Sequence, residues 1–463
     1  MIARLGALAY PAATGAGALL TFLTIPLVVR SAGPANFGLW GLLESATALL
    51  AQFVVLGLNF FTIRIVGQHR RRAAALLPLL GRLLPPGILL VLGILAVIAA
   101  IGLMPVALVP TLMLWIVGEG LFLVGQSCLR GQQRPLAWAL AVLARQCTVL
   151  TWLHAAPDLG ASPLTTLSMR LATAAWLAAG ISFLAAWGQG KTTDTGQEEA
   201  PPAPDWRTAV AYGAPLLLSS LLGLAATQLD RWWLVATWSP EVLGHYSLHL
   251  KVAAVMSPTI IAPLALWWPP FVFRLQGEEP AVAVGKLSRA LRHILLAYIT
   301  VATLLILAGP YLLAWMAPGL TLDLRLLALL ISVIGAQGLA GIFSFGQLIA
   351  PRPWGIPAVQ AVGFAAQAAI FALLPSPASP TAIAAATGTV ALVLLVAQGR
   401  LSNAILPGVL GKEIWLGLLP WLAGLMMLAA AREVRAWPAC ALTASLGAGW
   451  LIITRFRDKA RAA

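Results

Sequence analysis

Charge is scarce in this chain: 10% of its 463 residues are Asp, Glu, Lys or Arg, against 60% hydrophobic. Soluble domains carry roughly a quarter charged residues, so this composition excludes an ordinary water-exposed globule. Cysteine is nearly absent too. Cys128, Cys147 and Cys440 fall in or at the ends of apolar segments, with no pairing pattern and no metal-ligand spacing. That argues against a disulfide framework and against a zinc site. No Walker A motif, no Ser/His/Asp set and no other metal motif occurs, so no enzyme, no ATP hydrolysis and no cofactor are expected. The formal charge of +14 comes with no Lys/Arg-rich domain and no basic patch interleaved with aromatics, which removes nucleic acid as a partner.

What the chain has instead is long apolar runs. Mean hydropathy is +0.90, and a helix crossing a bilayer needs roughly 20 mostly apolar residues. Fourteen segments qualify: 6–29, 37–61, 83–103, 106–128, 136–156, 163–187, 209–237, 246–271, 294–316, 325–350, 356–374, 380–399, 414–431 and 438–454. The fold class expected is an all-α polytopic membrane protein with little mass outside the bilayer. The first run is too long for a signal-peptide core and continues into a second span, so it reads as a retained helix.

Charge sorts by side. With the N-terminus inside, 21 of the 29 Lys and Arg residues fall in cytoplasmic segments, among them Arg70–Arg72, Arg130, Arg134, Lys286, Arg289 and Arg292. Four fall outside (Arg30, Arg325, Arg432, Arg435) and four within spans. The positive-inside rule selects this orientation, and an even number of spans puts both termini in the cytoplasm. Basic loops facing anionic headgroups account for most of the net charge and make membrane lipids a partner. Pro280–His293 reads as a cytoplasmic amphipathic helix, with Val282, Leu287 and Leu291 on one side and the cations free for headgroups. The tryptophans at span ends, Trp238, Trp267, Trp268, Trp315 and Trp437, read as an interfacial belt.

Gly188–Arg207, rich in Gly, Thr, Glu and Pro, has the composition of a flexible linker. It divides the chain into an N-terminal six-helix bundle (1–187), a cytoplasmic linker (188–208), a second six-helix bundle (209–400) and two extra spans with a tail (401–463). The halves echo one another. Tyr10 and Tyr212 open spans, and Pro34-Ala-Asn-Phe-Gly38 and Pro240-Glu-Val-Leu-Gly244 fall in the next short outer loop. The following spans close at Arg64 and Arg274. The two prolines are 206 residues apart (240 minus 34). Six intervening spans restore the direction, so the repeats are parallel and the two bundles can enclose a central cavity.

These stretches carry a resemblance. Arg30-Ser-Ala-Gly-Pro-Ala-Asn-Phe-Gly38-Leu-Trp with Val55-Leu-Gly57-Leu, then Tyr212-Gly-Ala-Pro215, Leu229-Asp230-Arg231 and Ser239-Pro-Glu-Val-Leu-Gly244-His-Tyr246, resemble Wzx-type polysaccharide flippases. Those belong to the multidrug/oligosaccharidyl-lipid/polysaccharide exporter superfamily. The resemblance extends over about residues 1–400 and implies transfer of a polyprenyl-pyrophosphate-linked oligosaccharide from the cytoplasmic to the periplasmic leaflet of a bacterial inner membrane. A polysaccharide polymerase and a chain-length regulator are the partners it implies. A lipid II flippase shares the fourteen spans, but span 1 lacks the basic motifs expected there. A cation-coupled multidrug exporter of the same superfamily usually places an acid in span 1, where this chain has Thr14, Thr21 and Thr24.

Ionisable groups inside spans are costly and normally face a cavity or a partner. Glu44, Glu119, Arg145, Arg170, Asp230, Arg231 and Lys251 qualify. At 100° per residue, Ser219, Gly223, Thr227, Asp230 and Arg231 share a 120° arc of span 7, and Gly41, Glu44, Ser45, Ala48 and Gln52 a 100° arc of span 2. Such stripes suit a cavity wall; small residues with Ser or Thr also make close helix–helix contacts. Arg170 and Lys251 lie near span ends, where a long side chain snorkels. The substrate-binding set expected is Arg145, Asp230, Arg231, Glu44, Gln52, Thr227 and Lys251. Arg145, mid-span with no acid within a turn on its own helix, is assigned the pyrophosphate through its bidentate fork. Gln126, Gln228, Gln360 and Gln367 are assigned the sugar; the membrane potential could contribute without a coupled ion, and Glu44 or Asp230 could bind H+ or Na+ if one is used.

Overall fold

A computed structural model describes residues 2–69, 76–160, 162–187, 206–275, 278–346, 355–374 and 378–411, together with 414, 415 and 418. Most of span 13, all of span 14 and most of the polar linker lie outside the described residues. Every described element is helical: α1 Ile2–Val55, α2 Leu58–His69, α3 Leu77–Ala100, α4 Val109–Gly131, α5 Pro135–Ala155, α6 Pro163–Trp187 and α7 Trp206–Thr237. The chain continues with α8 Pro240–Ala253, α9 Ala262–Arg274, α10 Pro280–Met316, α11 Leu324–Phe343, α12 Gly355–Leu373 and α13 Pro380–Ile405.

Nine stretches among the described residues are long and apolar enough to cross a membrane. Large apolar side chains stand exposed along them, Leu89 at 66%, Leu184 at 76% and Tyr311 at 79%. Water would penalise that surface at about 25 cal/mol per Å², whereas lipid does not. The chain is therefore a multi-pass, all-α membrane protein. Proline sets many of the boundaries. It occupies the first helical turn of α3, α4, α5, α8, α10 and α13, where its missing N–H would have no intrahelical partner.

The expected spans from 6–29 to 380–399 fall on described helices, span 325–350 over 325–343 with 347–350 outside the described residues, and there are four corrections. The first outer loop is not a loop: α1 runs through both spans, bent at Gly33 alone (φ 80°), and Pro34 opens the second limb. The Pro-x-x-x-Gly signature is thus the first turn of a helix in both halves, since Pro240 opens α8 after an extended Ser239. Span 2 does not run to residue 61; it breaks at Leu56 and Gly57, both at positive φ. Gly57 is required there twice over, because a Cβ on it would also stand 2.7 Å from the Gly213 carbonyl oxygen. Span 8 is interrupted by a turn at 254–255 and a π-helical turn over Ser257–Ile261. Pro258 lacks the N–H a regular turn would use, and the wider turn accommodates it. Finally, Pro280–His293 is helical as expected but is the first part of the 37-residue α10. Its buried side is Ala283, Leu287 and Leu291, while Val282 is exposed and Lys286 pairs with Glu278 at 2.6 Å.

The chain divides into two compact units, Met1–Gln228 and Leu229–Ala463, with the boundary inside α7. In the first unit α4 is central, packing against α6, α1 and α2. Gly118, Gly120 and Gly125 on α4 and Ala172, Ala175, Ala178 and Ala179 on α6 are buried. Small residues let helix backbones approach where lipid supplies no hydrophobic drive. In the second unit α11 is central, packing against α13, α8, α10 and α9. Trp268 belongs to this core: it is 1% exposed and donates its indole N–H to the Ile342 carbonyl, so it is no interfacial tryptophan. Trp267 and Trp315 are 47% and 42% exposed, and Trp437 lies outside the described residues.

Candidate functional site

The seven expected site residues divide by unit: Glu44, Gln52, Arg145 and Thr227 lie in the first, Asp230, Arg231 and Lys251 in the second. The polar stripe on the second limb of α1 splits. Gly41, Ser45 and Gln52 are buried, with the Ser45 hydroxyl donating back to the Gly41 carbonyl; Glu44 is half-buried and Ala48 exposed. Gln52 accepts from the Asn59 amide at 3.4 Å, bridging the break between α1 and α2. Its first role here is to tie a broken helix together. Thr227 donates to the Leu224 carbonyl at 2.8 Å and accepts from Gln228 at 3.4 Å, while Lys251 is half-buried.

Arg145 has an acidic partner after all. Its Nη2 forms an ion pair with Oε1 of Glu119 on α4, both side chains partly exposed at 20% and 14%. The acid comes from the neighbouring helix, which a search along α5 alone misses. A readable signal existed: α4 and α5 form a hairpin whose turn centres near Gln133, and residues about equally far from a hairpin turn meet across it. Glu119 and Arg145 flank that turn by 14 and 12 residues (133 minus 119, 145 minus 133). The indole N–H of Trp115 donates to the same carboxylate oxygen at 3.2 Å. The Arg145 guanidinium lies 5.8 Å from the Phe122 ring centroid, within cation–π range.

The second unit repeats this hairpin logic with a neutral donor. Asp230, 4% exposed, accepts the Tyr246 hydroxyl proton from α8 and the Arg231 backbone N–H at 2.7 Å. The two residues flank Trp238 by eight positions on either side (238 minus 230, 246 minus 238). Subtracting the 206-residue repeat gives Thr24 and Trp40, also buried. The repeat therefore has a buried polar residue and a buried aromatic one at matching positions, with an acid only in the second half. Of the expected sugar-binding amides, Gln367 is taken up in packing, donating to Thr387 at 3.2 Å between α12 and α13. An apolar cavity of about 320 Å³ lies alongside, lined by Val359, Val362, Ala366, Val390, Val393 and Leu394.

Arg170 is a clamp. It donates to the Trp152 carbonyl at 3.4 Å and the Asp158 carbonyl at 3.1 Å, tying α6 to the end of α5 and the loop beyond. No group of three or more metal-ligating side chains occurs among the described residues.

Solved structures share this helical arrangement. A MATE transporter in complex with MaD5 matches with a TM-score of 0.58 at 13% identity, covering 87% of this chain and 96% of that one. An outward-facing multidrug resistance MATE family transporter of the MOP superfamily matches at 0.55 and 11%, covering 87% and 95%. The Vibrio cholerae MATE transporter VcmN in the bent form matches at 0.51 and 14%, covering 86% and 96%. Identities this low establish the fold alone. No curated protein matches the sequence. The sequence does match the family described as polysaccharide biosynthesis protein, over residues 5–276.

The chain belongs to the polysaccharide biosynthesis protein family. The resemblance to Wzx-type flippases read from the two hairpin motifs is consistent with that membership and with the MOP-superfamily fold. Within this family member, the matched residues contain both charge-bearing hairpins, α4–α5 and α7–α8.

Proposed function

We propose that this protein carries a polyprenyl-pyrophosphate-linked oligosaccharide from the cytoplasmic to the outer leaflet of a bacterial inner membrane by alternating access. The observation that carries the reading is membership of a polysaccharide biosynthesis family by a chain built of membrane-crossing helices with a transporter's fold. Work on a polysaccharide precursor by such a chain means moving it through the bilayer. The bundles 1–187 and 209–400, joined by the linker 188–208, would be the moving halves, with 401–463 as an appendage and both termini cytoplasmic. A polysaccharide polymerase and a chain-length regulator would receive the product.

Arg145 is the residue assigned to the pyrophosphate. A guanidinium holds two phosphate oxygens at once, and a medium drier than water strengthens the contact. Asp230, Arg231, Glu44, Gln52, Thr227 and Lys251 are the other residues assigned to substrate binding, and the isoprenoid tail would stay in lipid. With the cytoplasm negative, each anionic charge moved outward gains about 2.3 kcal/mol per 100 mV, so the membrane potential itself favours export.

The test is genetic and chemical together. Deleting the gene in its host should abolish the surface polysaccharide and accumulate its lipid-linked precursor. Wild type should restore display, Arg145→Lys should restore part of it, and Arg145→Gln none. Unchanged precursor levels in the deletion strain would sink the reading.

A further inference from the structure

Glu119 is the acid that the substrate assignment leaves unused, and it sits against the residue that assignment depends on. Trp115, one turn earlier on α4, donates its indole N–H to Oε1 of Glu119, and Arg145 pairs with that same oxygen. The guanidinium lies against Phe122, and among the described residues its buried Nε–H has no hydrogen-bond acceptor. A guanidinium has five N–H donors in a rigid fork. Glu119 engages one nitrogen of that fork, so Arg145 is oriented and neutralised with donors to spare.

We infer that Glu119 is an internal counter-anion, which Arg145 exchanges for the pyrophosphate of the lipid carrier. This rests on the proposed flippase reading and deepens it. A bare guanidinium within the membrane is costly, so an empty site needs a resident anion. A transported ligand must also leave, and a site that binds without competition releases slowly. Glu119 meets both requirements: it stabilises Arg145 in the empty site and offsets part of the gain when pyrophosphate binds. Trp115 keeps a donor on the carboxylate once Arg145 has turned away, and the Phe122 face limits how far the guanidinium swings. Glu119 is thus a positioning residue whose removal strengthens substrate binding while slowing transport.

The experiment uses the full chain in lipid nanodiscs and measures binding of geranylgeranyl pyrophosphate, with geranylgeraniol as the control lacking phosphate. Glu119→Gln should bind the pyrophosphate roughly fivefold more tightly than wild type, the factor a partly exposed ion pair commands. In proteoliposomes the same variant should turn over more slowly. Arg145→Gln should lose the difference between pyrophosphate and alcohol. If Glu119→Gln weakens binding as Arg145→Gln does, Glu119 merely holds Arg145 in place, and the inference falls while the role of Arg145 stands. If Arg145→Gln binds geranylgeranyl pyrophosphate like wild type, the Arg145 assignment itself fails. Should Glu119→Gln not yield folded protein, Glu119→Asp carries the test. Its carboxylate is withdrawn by one methylene, and binding should tighten about twofold; unchanged or weaker binding overturns the inference.

Discussion

Replacing Gly213 by alanine is the sharpest structural test of the first unit. A Cβ at Gly213 would stand 2.8 Å from the Gly57 carbonyl oxygen, and one at Gly57 would stand 2.7 Å from the Gly213 carbonyl oxygen. Both obstacles are backbone atoms, so no side-chain rotation relieves them and the helices must part. Overpacking of this kind costs about 1–3 kcal/mol. Gly57 sits at φ 78°, which adds about 1–2 kcal/mol for any L side chain. Gly213→Ala should therefore destabilise by about 1–3 kcal/mol and Gly57→Ala by about 2–5 kcal/mol. The double variant should fall short of the sum, because one separation relieves both clashes. Unfolding by SDS titration in mixed micelles measures all three. A Gly213→Ala protein that unfolds at the wild-type SDS fraction would refute the close approach. Additive losses would refute a shared contact.

Other outcomes follow from the same geometry. Tyr246→Phe leaves the buried Asp230 carboxylate short of one donor and should cost about 1.5–3 kcal/mol in the same titration. Asp230→Asn combined with Tyr246→Phe should then cost less than the two single changes summed; an additive double variant would contradict the bond. Trp268→Phe strands the buried Ile342 carbonyl and should cost about 1–3 kcal/mol, whereas Trp267→Phe, on the exposed neighbour, should be nearly silent. Arg170→Ala should raise hydrogen exchange in the 156–160 loop while leaving the rest of the protein unaltered; unchanged exchange there would mean that the clamp does not hold. A cysteine placed at Arg289 should react with an impermeant maleimide only from the cytoplasmic side, and labelling from outside would reverse the proposed orientation.

The spans were legible because hydropathy is a local property. The segment 163–187 reads off the sequence with the same limits that α6 has in space, since Pro163 opens it and apolar composition sustains it. The breaks were less legible. Gly33, Leu56 and Gly57 depart from helical geometry through backbone conformation and, at Gly57, through the approach of Gly213, which is 156 residues distant (213 minus 57). Hydropathy carries neither kind of information. The Pro-x-x-x-Gly repeat is legible as a recurring signature, but proline marks a turn and a helix start with the same letter, so the sequence alone does not tell the loop from the helix start that both halves adopt. The pairing of Arg145 with Glu119 needed the α4–α5 hairpin as a ruler, and a search confined to one helix could not supply it.

Transport of a lipid-linked oligosaccharide across a bilayer holding only this protein tests the central proposal most directly. Liposomes would carry a fluorescent polyprenyl-pyrophosphate-linked oligosaccharide in both leaflets, and an impermeant glycosidase would be added outside. Without protein, cleavage should stop once the outer leaflet is consumed. With the wild-type protein and an inside-negative potential, it should proceed to nearly all of the lipid, at a rate that Arg145→Gln reduces to the protein-free level. Folded wild-type protein that leaves the inner-leaflet share protected would contradict the account.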